Sequence, residues 1–211
     1  MVPTRQGTFG TNGTWTTAAN WGGTAPAAND NLIVRSTAQD ITGGTGVGYN
    51  DFALDELIVA NDYTGSIGSA GTPLRLDLAT AVTGRFVYYG SGAAAYFDGA
   101  YDSMQIQTTI MQTNAFVFGT LNASTCTTMA HIRGRLTIGG VGTVTTLGTG
   151  HLGFDLVQVV VNSGGTVTAA NLQSGNLTNV GTVPTATIFN DGQMTQSVGG
   201  ASTPVNSYSG R

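Results

Sequence analysis

The sequence predicts an all-β chain built as a single-stranded parallel β-helix, a solenoid of about seven to eight coils of roughly twenty residues each. Three observations lead there. Short strand-like runs beginning at Leu74, Ala95, Phe116, Leu136, Val157 and Leu177 start 21, 21, 20, 21 and 20 residues apart. A second series lies between them: Gly65-Ser66-Ile67, Phe86-Val87-Tyr88, Gln105-Ile106-Gln107, Thr127-Thr128-Met129, Val144-Thr145-Thr146, Thr166-Val167-Thr168 and Ala186-Thr187-Ile188. Its steps scatter more but also centre near twenty residues, and two interleaved series with one period describe one supersecondary unit stacked repeatedly. The third observation is composition. The chain has 32 Gly among 211 residues and only 9% charged residues, with Thr, Val and Asn abundant, which suits strands and tight turns.

Such a column would stand on the order of 35 Å tall, at one strand spacing per coil. A β-sandwich is the structural alternative, because short strands at regular spacing also describe it. The sustained period favours the β-helix. The asparagine-marked consensus of a leucine-rich horseshoe is missing.

Taken in order, residues 1–30 read as an N-terminal cap or arm. Both Trp residues, Trp15 and Trp21, lie here with Phe9 among Gly, Thr, Asn and Ala. Stacked repeats expose an apolar end that a terminal segment must cover. Residues 31–195 read as the solenoid, opening with the buried run Leu32-Ile33-Val34. Leu57-Ile58-Val59 and Leu74-Arg75-Leu76 continue the first series. Helical spacing is possible across Phe52 to Ile58, but the β-branched pair Ile58-Val59 favours strand. Residues 196–211 read as a polar, glycine-rich C-terminal tail.

Aromatics concentrate between Leu74 and Tyr101. Alternation along Arg85-Phe86-Val87-Tyr88 puts Phe86 and Tyr88 on one face and Arg85 and Val87 on the other. These rings either fill the core or form an interface patch. The residues expected to serve interaction are Phe9, Trp15, Trp21, Tyr88, Tyr96, Tyr101 and Tyr208. In the later coils the outward positions are mostly Thr, Asn and Gln, which suits ladders of stacked polar side chains.

The net charge is −4, Lys is absent, and no basic block exists, so a nucleic-acid partner is not expected. No apolar run approaches a membrane span, and no apolar leader is visible at Met1 to Gln6, so synthesis in the cytoplasm is expected. Cys126 is the single thiol, which leaves no internal disulfide. His131 and His151 lie twenty residues apart, placing them on neighbouring coils, but two imidazoles and one thiol do not make a structural metal centre. Asp98 and Asp102 are the best carboxylate pair for sugar hydrolysis, set among Tyr96, Phe97 and Tyr101, against the simpler reading of solvated corner aspartates. No nucleophile elbow or phosphate loop occurs. The sequons at Asn12, Asn122 and Asn176 are those a Thr-rich chain carries by chance.

The segment Thr14-Trp15-Thr16-Thr17-Ala18-Ala19-Asn20-Trp21, followed by Gly22-Gly23, Pro26 and Asn29-Asp30-Asn31-Leu32-Ile33-Val34, resembles the opening of β-helical repeat proteins from two sources. These are bacterial autotransporter-type passenger domains and virion surface proteins of tailed phages. Glu56-Leu57-Ile58-Val59 through Tyr63-Thr64-Gly65-Ser66-Ile67-Gly68 to Pro73-Leu74 is similar to the same phage group. The resemblance covers roughly the first third of the chain. It implies a virion surface component: a capsid decoration (cement) protein, or part of a tail fibre or spike. The chain is short for a complete enzymatic spike, and the signal and translocator of a passenger protein are not visible, which moves the expectation to capsid decoration. The implied partner is the major capsid protein, the implied assembly a homotrimer, and the implied location the virion. No catalytic residue, metal or cofactor is carried over. The alternatives are an adhesin or fibre module binding cell-surface glycans through Tyr88, Tyr89, Tyr96 and Tyr101, and a polysaccharide-degrading enzyme.

Overall fold

The computed structural model describes residues 4–7, 13–35, 39–42, 54–78, 84–92, 94–108, 115–150, 157–197, 199–202 and 205–208. The fold is all-β. Its strands are β1 (Thr4–Gly7), β2 (Asn31–Val34), β3 (Glu56–Val59), β4 (Leu74–Asp77), β5 (Arg85–Tyr88), β6 (Tyr96–Gln107), β7 (Phe116–Phe118) and β8 (Ser124–Ile138). They continue with β9 (Gly142–Thr149), β10 (Val157–Val161), β11 (Thr166–Asn179), β12 (Thr182–Val183), β13 (Thr185–Gln196), β14 (Ala201–Ser202) and β15 (Val205–Tyr208). The helical exception among the described residues is one 3-10 turn, Ala18–Trp21.

All fifteen strands belong to one sheet, and every strand pairing among the described residues is parallel. Antiparallel contact among them is confined to an isolated bridge, Ser69 to Thr72. That excludes the antiparallel pairing of a β-sandwich.

Three ladders follow from the registers. The first runs Leu32, Leu57, Phe86, Met104, Met129, Leu147, Ala170, Ala186, Val205. The second runs Leu74, Phe97, Phe118, Ile138, Val161, Asn179, Gln196. The third runs Asp77, Ala100, Thr125, Thr143, Thr166, Thr182, Ala201. Most strand positions expected from spacing are found, but Gly65-Ser66-Ile67 holds only isolated bridges at Ile67, and one series needs correction. Leu32 and Leu57 pair into the ladder of Phe86, not into that of Leu74. The step from Leu57 to Phe86 is 29 residues, whereas that from Ala170 to Ala186 is 16, so counting at a fixed period slips onto the wrong ladder.

Two long strands bend and serve two ladders each. In β8, Ser124 to His131 pairs with β9, while Gly134 to Ile138 pairs with β10. In β11, Thr166 to Leu172 pairs with β9, while Asn176 to Asn179 pairs with β10. The ring β8–β9–β11–β10 is therefore a small closed four-stranded parallel barrel. The bends fall at Gly134 (φ 93°) and Gly175 (φ 85°), in the left-handed region that L side chains rarely adopt. A side chain at Gly134 would also run into Thr108.

Many strands alternate, though β5 and β7 are buried on both faces along most of their length. In β3, Leu57 and Val59 are buried while Glu56 and Ile58 face outward. Parallel pairing carries burial from strand to strand: Val34, Val59, Tyr88, Ile106, His131, Thr149 and Leu172 form one buried row. The widest part of the core is aromatic. Phe97 and Phe116 stack at 5.3 Å, and Phe86 meets Phe97 edge-on at 4.9 Å.

Near the chain start, Trp15 and Trp21 pack edge to face at 4.8 Å and join the same hydrophobic cluster. The Trp21 indole N–H donates to the Trp15 carbonyl at 2.7 Å. Parallel pairing is also found in β1, within residues 1–30, and in β14 and β15, beyond residue 195.

Phe86 sits at the centre of the ring cluster, so Phe86→Ala should lower the unfolding free energy by about 3–5 kcal/mol in denaturant titrations. Its neighbour Arg85 is half-exposed and pairs with Glu56 at 2.7 Å across the ladder. Arg85→Ala should cost no more than about 1 kcal/mol in the same assay.

Candidate functional site

Most of the residues expected to carry function are consumed by the fold. Trp15, Trp21, Tyr88 and Tyr101 are all at most 3% exposed. For Tyr88 and Tyr101 the core-filling reading of the aromatic cluster is the one found; Trp15 and Trp21, outside the strands, are buried in the same core. Tyr88 meets Phe116 at 5.1 Å and Tyr101 meets Phe118 at 5.8 Å. Burial raises both phenols far above their ordinary pKa, so they stay neutral. Tyr96 is half-buried, in a row with the buried Val117 and Thr137. Tyr89 is also half-buried, and its hydroxyl accepts the Gln105 amide at 3.0 Å. Phe9 lies outside the described residues, as does the side chain of Tyr208, whose backbone pairs with Phe189 in the β13–β15 ladder.

Asp98 and Asp102 do not share an open site. Asp102 is exposed, whereas Asp98 is completely buried. The Asp98 carboxylate accepts the backbone N–H groups of Thr120 (2.8 Å), Leu121 (3.2 Å) and Asn122 (2.7 Å), and the Asn122 amide at 3.1 Å. It thus tethers the corner between β7 and β8, answering donors that strand pairing leaves over. A carboxylate sealed in this way is a fastening, not an acid open to a substrate.

His131 has a comparable role. It stands in the buried row between Ile106 and Thr149, and its Nε2–H donates to the Gly134 carbonyl at 3.0 Å, across the bend. Its Nδ1 is buried without a partner. Burial pushes the ring down to about 4, opposed in part by the Gly134 carbonyl. His151 lies outside the described residues, so the expected neighbouring of the two histidines falls there too. Cys126 is buried in β8, and burial pushes its thiol up to about 12. A thiol held protonated is a poor nucleophile. Among the described residues no group of three or more His, Cys, Asp or Glu side chains is placed to hold a metal ion. No helix among them is long and apolar enough to cross a membrane.

What remains for contact is the outer surface of the ladders. One exposed row reads Thr125, Thr143, Thr166, Thr182. Another reads Arg135, Gln158, Asn176, Gln193. Leu121 and Val141 are 46% and 41% exposed on successive corners. A third outward row reads Gln105, Ala130, Gly148, Asn171. Where its side chains shrink to Ala130 and Gly148 the surface is indented, forming a groove of about 270 Å³ edged by Ile132, Asn171 and Gln173. Periodicity shows which residues face outward but not this groove, because the chain carries glycine at so many corners. These surfaces offer mostly uncharged hydrogen-bonding groups and small apolar contacts, with Arg135 the cation in the second row. No protein-family model, curated protein or solved structure matches this chain.

Asp98→Ala should leave several buried N–H groups without an acceptor, costing about 3 kcal/mol or more and accelerating hydrogen exchange at residues 120–122. For His131 the sign follows from a folded-state pKa near 4 and an unfolded value near 6.5. Between those values the unfolded chain binds more protons. Stability in this group is therefore complete above pH ~6.5 and falls as pH drops toward ~4, by about 3 kcal/mol in total. Denaturant titrations across that range should show the slope in the native chain and a smaller one in His131→Leu.

Proposed function

We propose that the chain is a parallel β-helix with a structural role on a phage virion, a decoration protein that binds the outer capsid surface and stabilises it. The observation that carries this reading is the unbroken parallel ladder from β1 to β15, whose steps average close to the twenty-residue period. The first, second and third ladders are then the three walls of one column. Bends such as Gly134 and Gly175 are its corners, and the paired indoles of Trp15 and Trp21 are the cap over one end. Asp98 and His131, the groups best suited to acid–base chemistry, are committed to holding corners. That leaves sparsely charged walls and two ends, which suit a contact repeated over a capsid lattice.

The partner is the major capsid protein, and a homotrimer matches a local three-fold axis of such a lattice. The resemblance of residues 14–34 and 56–74 to β-helical virion proteins supports the same reading.

Electron microscopy of the particle that encodes this chain tests the assignment. Density for the column on the outer face of the head, lost when the gene is deleted, is the expected result. Its absence from the head, or its presence only on the tail, would remove the capsid assignment. Light scattering of the purified chain should give a mass of about three chains.

A further inference from the structure

Gly148 lacks the usual reasons for a glycine. Its φ is not in the left-handed region, and a side chain built on it would meet nothing within 4 Å. It lies inside β9, in continuous register with Ala130 on one side and Asn171 on the other, with no bulge on either. Glycine inside a strand weakens it and otherwise marks a bulge, a sharp bend or the close approach of a ligand or another backbone. Bulge, bend and close backbone are absent here. By contrast, the neighbouring Gly150 has φ 78° and packs against Ser174, so its own glycine is explained by the corner.

The groove occupies the space that the missing side chain leaves. Across it the row falls from Gln105 to Ala130 and Gly148 and rises again at Asn171, an interval of about 14 Å over three strand spacings. Its volume of about 270 Å³ lies just below the range of drug-sized ligand pockets, the size of a single small ring compound. Its walls carry two exposed carboxamides, Asn171 and Gln173, and one aliphatic side chain, Ile132, with the buried His131 and Thr149 beneath and no acidic, lysine or arginine side chain.

We infer that this groove is a binding site for one uncharged sugar unit of a glycan. Carboxamides both donate and accept, as the hydroxyls of a neutral sugar require, and Ile132 offers a surface for the ring's C–H face. An extended peptide fits less well. It would dock by adding to a sheet edge, but β8, β9 and β11 are paired on both sides along this groove. The site is independent of the capsid contact proposed above. With no aromatic platform and a shallow floor, one sugar should bind at millimolar concentration, and many copies on one particle would multiply that by avidity.

The test is a nuclear magnetic resonance titration of the isotope-labelled full chain with methyl glucoside, methyl galactoside, methyl mannoside and N-acetylglucosamine. At least one should produce saturable shifts at the amides of Ala130, Gly148, Asn171 and Gln173. Gly148→Leu should abolish them while leaving the thermal unfolding curve in place. Asn171→Ala, at an exposed position, should weaken binding about tenfold and decides the matter if the leucine variant does not fold. Absence of saturable shifts with all four sugars would overturn the inference. So would shifts confined to another surface, unchanged binding by folded Gly148→Leu, or unchanged binding by Asn171→Ala. A neutral peptide pool that saturates these amides when no sugar does would also overturn it.

Discussion

Parallel pairing, in register but for shifts at Ile106/Gln107 and Leu172/Ser174, is the constraint on which the rest of the structure depends. In an antiparallel pair a residue can be matched with an unlike partner from a nearby hairpin. In a parallel ladder each row runs on through successive strands, so burial, more than residue type, is carried along it. Apolar rows make the core, as Leu32, Leu57, Phe86, Met104, Met129 and Leu147 do. Rows of Thr, Asn and Gln make the outside. The connections do not have to match, and their varying length is what spreads the steps between 16 and 29 residues.

Polar groups within such a core must be justified individually, because burial without a partner is costly. Asp98 is justified by four donors from the β7–β8 corner, and His131 by the Gly134 carbonyl. Toward the end of the second ladder the apolar row becomes amide: Asn179 follows Val161 and donates to the Gln196 side chain at 3.1 Å. The core thus turns polar where fewer strands remain to cover it, and Ile188 and Met194 nearby are only partly buried.

Much of this was legible in the sequence because strands announce themselves locally. Val34, Val59, Phe86, Tyr88 and Leu136 alternate with outward neighbours, and period-two counting alone puts His131 on the same side as the buried Met129. The side of a strand was readable, but which side was covered was not. Val87 faces away from Phe86 and is nevertheless 1% exposed, so alternation along β5 marks faces without marking solvent. The role of Asp98 was not readable because its donors come 22 to 24 residues later, from a corner with no pattern of its own. The groove was hidden for a related reason. It arises from the coincidence of Ala130 and Gly148 on neighbouring strands, a relation that exists only once the register is known.

The opposite placement of β1 and β15 has a mechanical consequence. They lie at the two extremes of the longest ladder, and the hydrogen bonds between strands point along the direction that joins them. A pull applied between the two extremes loads one row of bonds at a time and peels strands away in sequence. A push, or a force applied across the strands, is shared by every row at once. The pairing is therefore weakest against a force that separates neighbouring strands and strongest against one shared across them.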